Sequence, residues 1–280
     1  MQYIQVSFQF TAIEEYQKDL LIDELGSIGY NTFEDVAGGF AAFIDLDSYD
    51  ADQLEAITSA LDPELNCITT VADIAAENWN EEWEKNFEPL VIDDKCYVRA
   101  TFHKPRPEFP YEIVIDPKMA FGTGHHQTTT MMMQYLLEAD VKDKHILDMG
   151  CGTGILAILA AKLGAKSLVA IDNDDVCYAS TLENSALNNI DNIVAACGGK
   201  EVIPQEQFDT ILANINRNIL LDQMESYAAV LKPEGNIFFS GFYERPDLEM
   251  IKAHGADFNL NYVDHKKIDN WVAAKFVKLP

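Results

Sequence analysis

Nine residues constrain this chain more than any others: Ile146-Leu147-Asp148-Met149-Gly150-Cys151-Gly152-Thr153-Gly154. A short apolar run feeds three glycines at alternate positions, and Ile155–Leu163 then reads as an apolar helix. Glycine reaches positive φ without steric cost and lets a ligand touch the main chain. The turn opens a helix, whose first N–H groups lack intrahelical partners and face the ligand. The text on either side continues in the same manner. His145–Met149, Ser167–Ile171, Phe208–Ala213 and Asn236–Ser240 read as strands, and Val176–Leu187 and Ile219–Leu231 as helices. This alternation predicts a doubly wound, Rossmann-like α/β domain over residues 90–280, built on a parallel sheet. Two last strands, near Phe258–Val263 and Trp271–Val277, suit an antiparallel hairpin at a sheet edge.

The first quarter follows a different pattern. Tyr3–Phe10 alternates, with Ile4, Val6, Phe8 and Phe10 on one face. Ile13, Tyr16, Leu20, Leu21, Leu25 and Ile28 recur at helical spacing. Thr32–Ala37 and Phe40–Asp45 flank Gly38-Gly39 as a hairpin, Ala51–Leu61 is a second helix, and Cys67–Asp73 closes as a strand. The order βαββαβ predicts a small ferredoxin-like α+β domain over residues 1–74. Residues 75–89 read as a polar connector helix with Trp79 and Trp83 one turn apart, stopped by Pro89.

Charge separates the two parts. The chain carries −26 in all, and residues 1–75 hold fifteen acids against a single base, Lys18, for −14. Such a surface repels phosphate backbones and anionic lipid, and speeds encounter with a basic protein. Direct nucleic-acid binding and a membrane partner are therefore not expected. No run of about 18 apolar residues is present, and the N-terminus lacks the basic start of a signal peptide. The five cysteines are scattered and form no C-x-x-C, which fits free thiols in a reducing cytosol and gives no zinc site.

Spacing narrows the ligand of the glycine turn. Asp172 ends the next strand, 22 positions after Gly150, where a carboxylate can accept hydrogen bonds from two ribose hydroxyls. Dinucleotide sites use G-x-G-x-x-G to bring a pyrophosphate against the helix; this turn is G-x-G-x-G, and Asp148 before it is unwelcome to a pyrophosphate. No G-K-[ST] follows, which excludes a nucleotide P-loop. S-adenosylmethionine has no phosphate and carries a sulfonium and an ammonium, so carboxylates suit it. Gly150, Gly152, Gly154 and Asp172 are thus the expected cofactor contacts. Asn214, ending Phe208-Asp209-Thr210-Ile211-Leu212-Ala213-Asn214, opens into the same cleft and can offer a neutral carbonyl to an attacking amine. Ala120-Phe121-Gly122-Thr123-Gly124-His125-His126-Gln127-Thr128-Thr129-Thr130 is a glycine loop running into helix-capping hydroxyls. It is placed to close over the cofactor, with Thr129 as a contact. No ligand set surrounds His125 and His126, and no metal is expected.

At these residues the chain resembles the PrmA family, methyltransferases of the eleventh protein of the large ribosomal subunit. The likeness spans nearly the whole chain: the small first domain, Trp79 and Trp83 leading to Pro89, Asp116-Pro117 before Ala-Phe-Gly-Thr-Gly, the Asp148-x-Gly-Cys-Gly-Thr-Gly-Ile-Leu-Ala motif, and Ala213-Asn214-Ile215. The Ala120–Thr129 loop is its most specific part. The resemblance implies methylation of lysine ε-amines and the N-terminal α-amine of that basic ribosomal protein. It implies that the first domain grips the substrate while the connector lets it present several amines, and that Thr129, Gly150, Asp172 and Asn214 contact S-adenosylmethionine. The enzyme is expected to be a monomer in the cytoplasm. Lys118, His125, Gln127, Asn216 and Arg217 depart from the family pattern on the lid and substrate side. Two other readings share parts of the pattern: an NAD-dependent Rossmann oxidoreductase, through the fold alone, and a non-catalytic binding protein acting through the acidic domain.

Overall fold

The computed structural model describes residues 3–11, 13–30, 32–36, 38–61, 63–74, 88–116 and 122–280. The chain divides into two compact units, Met1–Asn86 and Phe87–Pro280. The expected connector helix and the residues from Pro117 to Phe121 lie outside the described residues.

In the first unit, β1 (Tyr3–Gln9), α1 (Glu15–Ser27), β2 (Thr32–Val36), β3 (Gly39–Asp45), α2 (Ala51–Ala60) and β4 (Ile68–Ile74) follow in the expected order. The sheet runs β2-β3-β1-β4 and is antiparallel throughout. Period-two alternation buries Ile4, Val6 and Phe8 of β1 against Leu21 and Leu25 of α1 and Leu54 of α2. Phe8 stacks on Phe40, ring centroids 4.9 Å apart. Asp50 caps α2 by accepting from Asp52 and Gln53 N–H.

The second unit opens with a three-stranded sheet absent from the sequence reading: β5 (Leu90–Ile92), β6 (Cys96–Arg99) and β7 (Tyr111–Val114). After α3 (Gln127–Glu138) come β8 (His145–Met149), α4 (Ile155–Lys162), β9 (Ser167–Asp172), α5 (Asp175–Leu187), β10 (Ile193–Cys197), β11 (Phe208–Asn214), α6 (Arg217–Val230), β12 (Leu231–Tyr243), α7 (Glu249–Asp257), β13 (Leu260–Ile268) and β14 (Trp271–Lys278). The main sheet is ordered β10-β9-β8-β11-β12-β14-β13. Its first five strands are parallel, and β14 is antiparallel to both β12 and β13. The last two strands form the expected hairpin, with β13 at the edge and β14 inside. Both faces are covered, so adjacent residues enter opposite cores: Phe238 packs with α3 and α4, Phe239 with α6 and α7. The order reverses at β8 and β11, which places the crevice of a doubly wound sheet beyond their carboxyl ends.

Candidate active site

Every motif read from the sequence of the second unit converges on that crevice. Met149 ends β8, and the turn that follows holds Gly150, Gly152 and Gly154 at φ of +71°, +55° and +78°. L side chains avoid this region, so the glycines are structural requirements. At Gly150 space adds a second reason: a Cβ there would stand 2.1 Å from Ile215 Cγ2. The turn uses most of its own donors. Gly150 and Cys151 N–H donate to Ile171 O at 2.8 and 3.1 Å, and Gly154 N–H donates to Cys151 O at 2.8 Å. Gly152 and Gly154 are themselves buried, so what the turn offers a ligand is chiefly the bare backbone of half-buried Gly150, more than a nest of free amides.

Asp172 stands at the end of β9 beside this turn. Its Oδ2 accepts from Gly152 N–H at 2.9 Å and its Oδ1 from Asp174 N–H at 3.1 Å. Each oxygen keeps a further lone pair for a ligand hydroxyl. Asp148, one strand residue before the turn, is fully buried, and neither carboxylate oxygen has a hydrogen-bond partner. Burial pushes its carboxyl up to about 7; the nearby Ala157 N–H, short of a hydrogen bond, draws it partly back, and the charge of Asp172 adds to the rise. The Cys151 thiol is likewise pushed up by burial and then by Asp148, so it stays protonated.

Asn214, at the end of β11, donates from Nδ2 to Thr129 Oγ1 at 3.3 Å. Two residues 85 positions apart thus meet where the sequence placed both. With the amide nitrogen spent on Thr129, the Asn214 carbonyl remains as an acceptor. Ile215 is fixed from two sides: Gly150 faces its side chain, and a Cβ on Gly241 would lie 2.3 Å from its carbonyl oxygen. Gly241 takes φ +93° where β12 bulges, which makes room for the Asn214–Ile215 corner.

The described part of the glycine loop is tied down. Thr153 Oγ1 donates to Gly122 O at 2.5 Å, and Thr130 Oγ1 donates to Gly124 O at 3.1 Å. His125 Nε2 lies 2.8 Å from Glu88 O, and His126 caps α3 by accepting from Thr128 N–H. Lys118 lies outside the described residues; the other departures from the family pattern have partners within the chain. Gln127 donates to Asp269 at 3.2 Å, Asn216 caps α6 through Ile219 N–H, and Arg217 pairs with Asp247 at 2.6 Å.

The family described as "Ribosomal protein L11 methyltransferase (PrmA)" matches residues 7–278. The chain belongs to that family. A ribosomal protein L11 methyltransferase of Phocaeicola vulgatus is 43% identical over 280 residues, 99% of each chain. One from Porphyromonas gingivalis is 43% identical over 284 residues, covering 99% of this chain and 98% of the other. Among solved structures, the ribosomal protein L11 methylase of Lactobacillus delbrueckii subsp. bulgaricus superposes with a TM-score of 0.64 at 30% identity, over 69% of this chain and all of the other. As a member of this family the chain is an S-adenosylmethionine-dependent protein methyltransferase with a Rossmann-like catalytic fold.

The site fits that cofactor. The side chains gathered at the turn, Asp148, Thr153, Asp172 and Thr181, bring two carboxylates and no cation. A sulfonium and an ammonium suit such a set, and a pyrophosphate does not. The sequence reading missed the layer behind the turn. Thr181 Oγ1 donates to Gly152 O at 2.9 Å, and Asn184 Nδ2 donates to Thr153 O at 2.9 Å while its Oδ1 accepts from Asp116 N–H at 2.8 Å. Asn188 bonds both Val114 N–H and Val114 O. Thr181 and Asn184 are buried on the inner side of α5, and Asn188 is buried at its C-cap. The i, i+4 spacing of Asn184 and Asn188 was the available signal.

Proposed function

We propose that this enzyme methylates amino groups, lysine ε-amines and the N-terminal α-amine, on the basic large-subunit ribosomal protein that gives its relatives their name. The Asn214–Thr129 bond beside the glycine turn carries this reading, because it sets a neutral acceptor where a nucleophilic nitrogen has to arrive. In this account Thr129, Gly150, Gly152, Gly154, Asp172 and Asn214 contact the cofactor. Bound there, S-adenosylmethionine supplies an electrophilic methyl group on sulfonium. The chain's own residues have three tasks. Asp172 holds ribose hydroxyls, while the half-buried Gly150 allows close approach. Asn214 Oδ1 accepts an N–H of the incoming amine and orients its lone pair without adding charge. The crevice disfavours the ammonium form, helping a lysine of ordinary pKa about 10.4 to lose the proton it must shed before attack. Positioning then carries most of the rate.

The first unit is proposed as the docking surface. The −14 charge of residues 1–75 matches a basic substrate and opposes RNA. No described helix is long and apolar enough to cross a membrane, and a cytoplasmic place of action is proposed alongside the free thiols. Mass spectrometry of purified large-subunit proteins, incubated with the enzyme and labelled S-adenosylmethionine, tests the proposal. Label on amines of the eleventh protein is expected. Label confined to other proteins, or none, would overturn it.

A further inference from the structure

Beyond the carboxyl end of the sheet lies an aromatic group that the methyl-transfer account does not use. Tyr243 ends β12 and pairs in register with Trp271, which opens β14. Their rings are 4.3 Å apart. His126 meets Trp271 edge-on at 4.8 Å. Tyr243 is 46% exposed and His126 is exposed as well. Trp271 is half-buried against the core, but two rings left in water beside it call for an explanation beyond core packing. Two connections tie this cluster to Asn214. His126 caps α3, whose first turn carries Thr129, the partner of Asn214. Asn214 is also the register neighbour of Ser240, three residues before Tyr243.

We infer that Tyr243, Trp271 and His126 form an aromatic wall at the approach to Asn214, which holds the alkylammonium end of a substrate lysine before it sheds its proton and moves in to Asn214, and holds it more firmly once it is methylated. Aromatic faces attract cations through their quadrupole, and methyl groups lower the cost of removing the cation from water. The local charge agrees. Glu244 is spent on Lys267 at 2.6 Å with Arg245 adjacent, whereas Asp269, two residues before Trp271 in the hairpin turn, accepts from the neutral Gln127 amide. A wall of this kind retains a monomethylated side chain between turnovers, so one docking event yields further methylation of the same amine. The inference rests on the lysine-methylating reading above, but its first test does not need the cofactor.

The test is an indole N–H NMR titration of the full-length protein with tetramethylammonium and with the neutral isostere 3,3-dimethylbutanol. The Trp271→Phe variant identifies the Trp271 signal among the three indoles. The wall predicts a saturable shift of that signal with the cation alone. No shift, or an equal shift with the alcohol, overturns it. A kinetic arm uses Tyr243→Leu and Trp271→Leu, each checked for retained S-adenosylhomocysteine affinity by calorimetry. A KM for the protein substrate raised about two- to thirtyfold is expected, the range of one cation–π contact. Products shift toward monomethyl-lysine, and Trp271→Phe restores the parent pattern. Unchanged KM and methylation pattern in both leucine variants also overturn the wall. A wild-type protein that binds tetramethylammonium but not S-adenosylhomocysteine would instead count against the methyltransferase reading.

Discussion

Replacing Asn214 with alanine removes the carbonyl assigned to the amine and the bond to Thr129, while leaving Asp172 and the glycine turn in place. Single-turnover methylation should fall by about ten- to a hundredfold, as expected for the loss of one well-placed hydrogen bond. Cofactor affinity measured by calorimetry should change less. An unaltered single-turnover rate removes Asn214 from the reaction. Asp148 predicts a pH effect with a definite sign. Its folded carboxyl is raised from 3.8 to about 7, so the fold binds a proton that the unfolded chain has released. Below about pH 4 both states are protonated and no penalty exists. Between about 4 and 7 the penalty grows, and above 7 it is constant, of order 4 kcal/mol. Asp148→Asn removes that pH-dependent term. Denaturant titrations should show the variant gaining on the parent as pH rises through this window and running parallel above it. A constant difference from pH 4 to 8 would contradict the account.

Among the elements, α5 is where a structural and a functional prediction coincide. Asn184 bridges Asp116 N–H and Thr153 O from a buried position. Asn184→Leu keeps the branched shape with a bulkier side chain, and takes this partner from the buried Thr153 O and the half-buried Asp116 N–H, at a cost of about 2–4 kcal/mol. For a domain of this size that lowers Tm by roughly 5–15 °C. The stabilisation given by added S-adenosylhomocysteine should shrink as well, because Thr153 also pins the loop at Gly122. This layer shows what the sequence could and could not reveal. Four of the five parallel strands and the glycine turn were legible because apolar runs and glycine spacing are local signals, whereas the short β10 went unread. The polar residues of α5 were not, since Thr181, Asn184 and Asn188 resemble a solvated face until the turn they support is folded against them. β5, β6 and β7 have only three or four residues each, too short for periodicity to register. β12 starts at Leu231, where α6 stops without a loop and five residues before the expected strand Asn236–Ser240, and that early start is defined only by tertiary pairing with β11.

At the scale of the whole molecule, the account divides labour between an acidic unit and a catalytic one. The second unit has its own sheets and two cores. Deleting residues 1–75 should therefore leave cofactor binding intact and abolish methylation of the ribosomal protein. A truncated enzyme as active on that protein as the full chain would refute the docking role. All of this depends on the glycine turn and Asp172 holding a sulfonium cofactor. Isothermal titration of S-adenosylmethionine and of NAD into the full-length protein and its Asp172→Ala variant tests that most directly. The account predicts one-site binding of S-adenosylmethionine to the parent, at least tenfold weaker binding to the variant, in line with a lost charge-assisted hydrogen bond, and no heat from NAD. Binding of NAD, or equal S-adenosylmethionine affinity in both proteins, would contradict it.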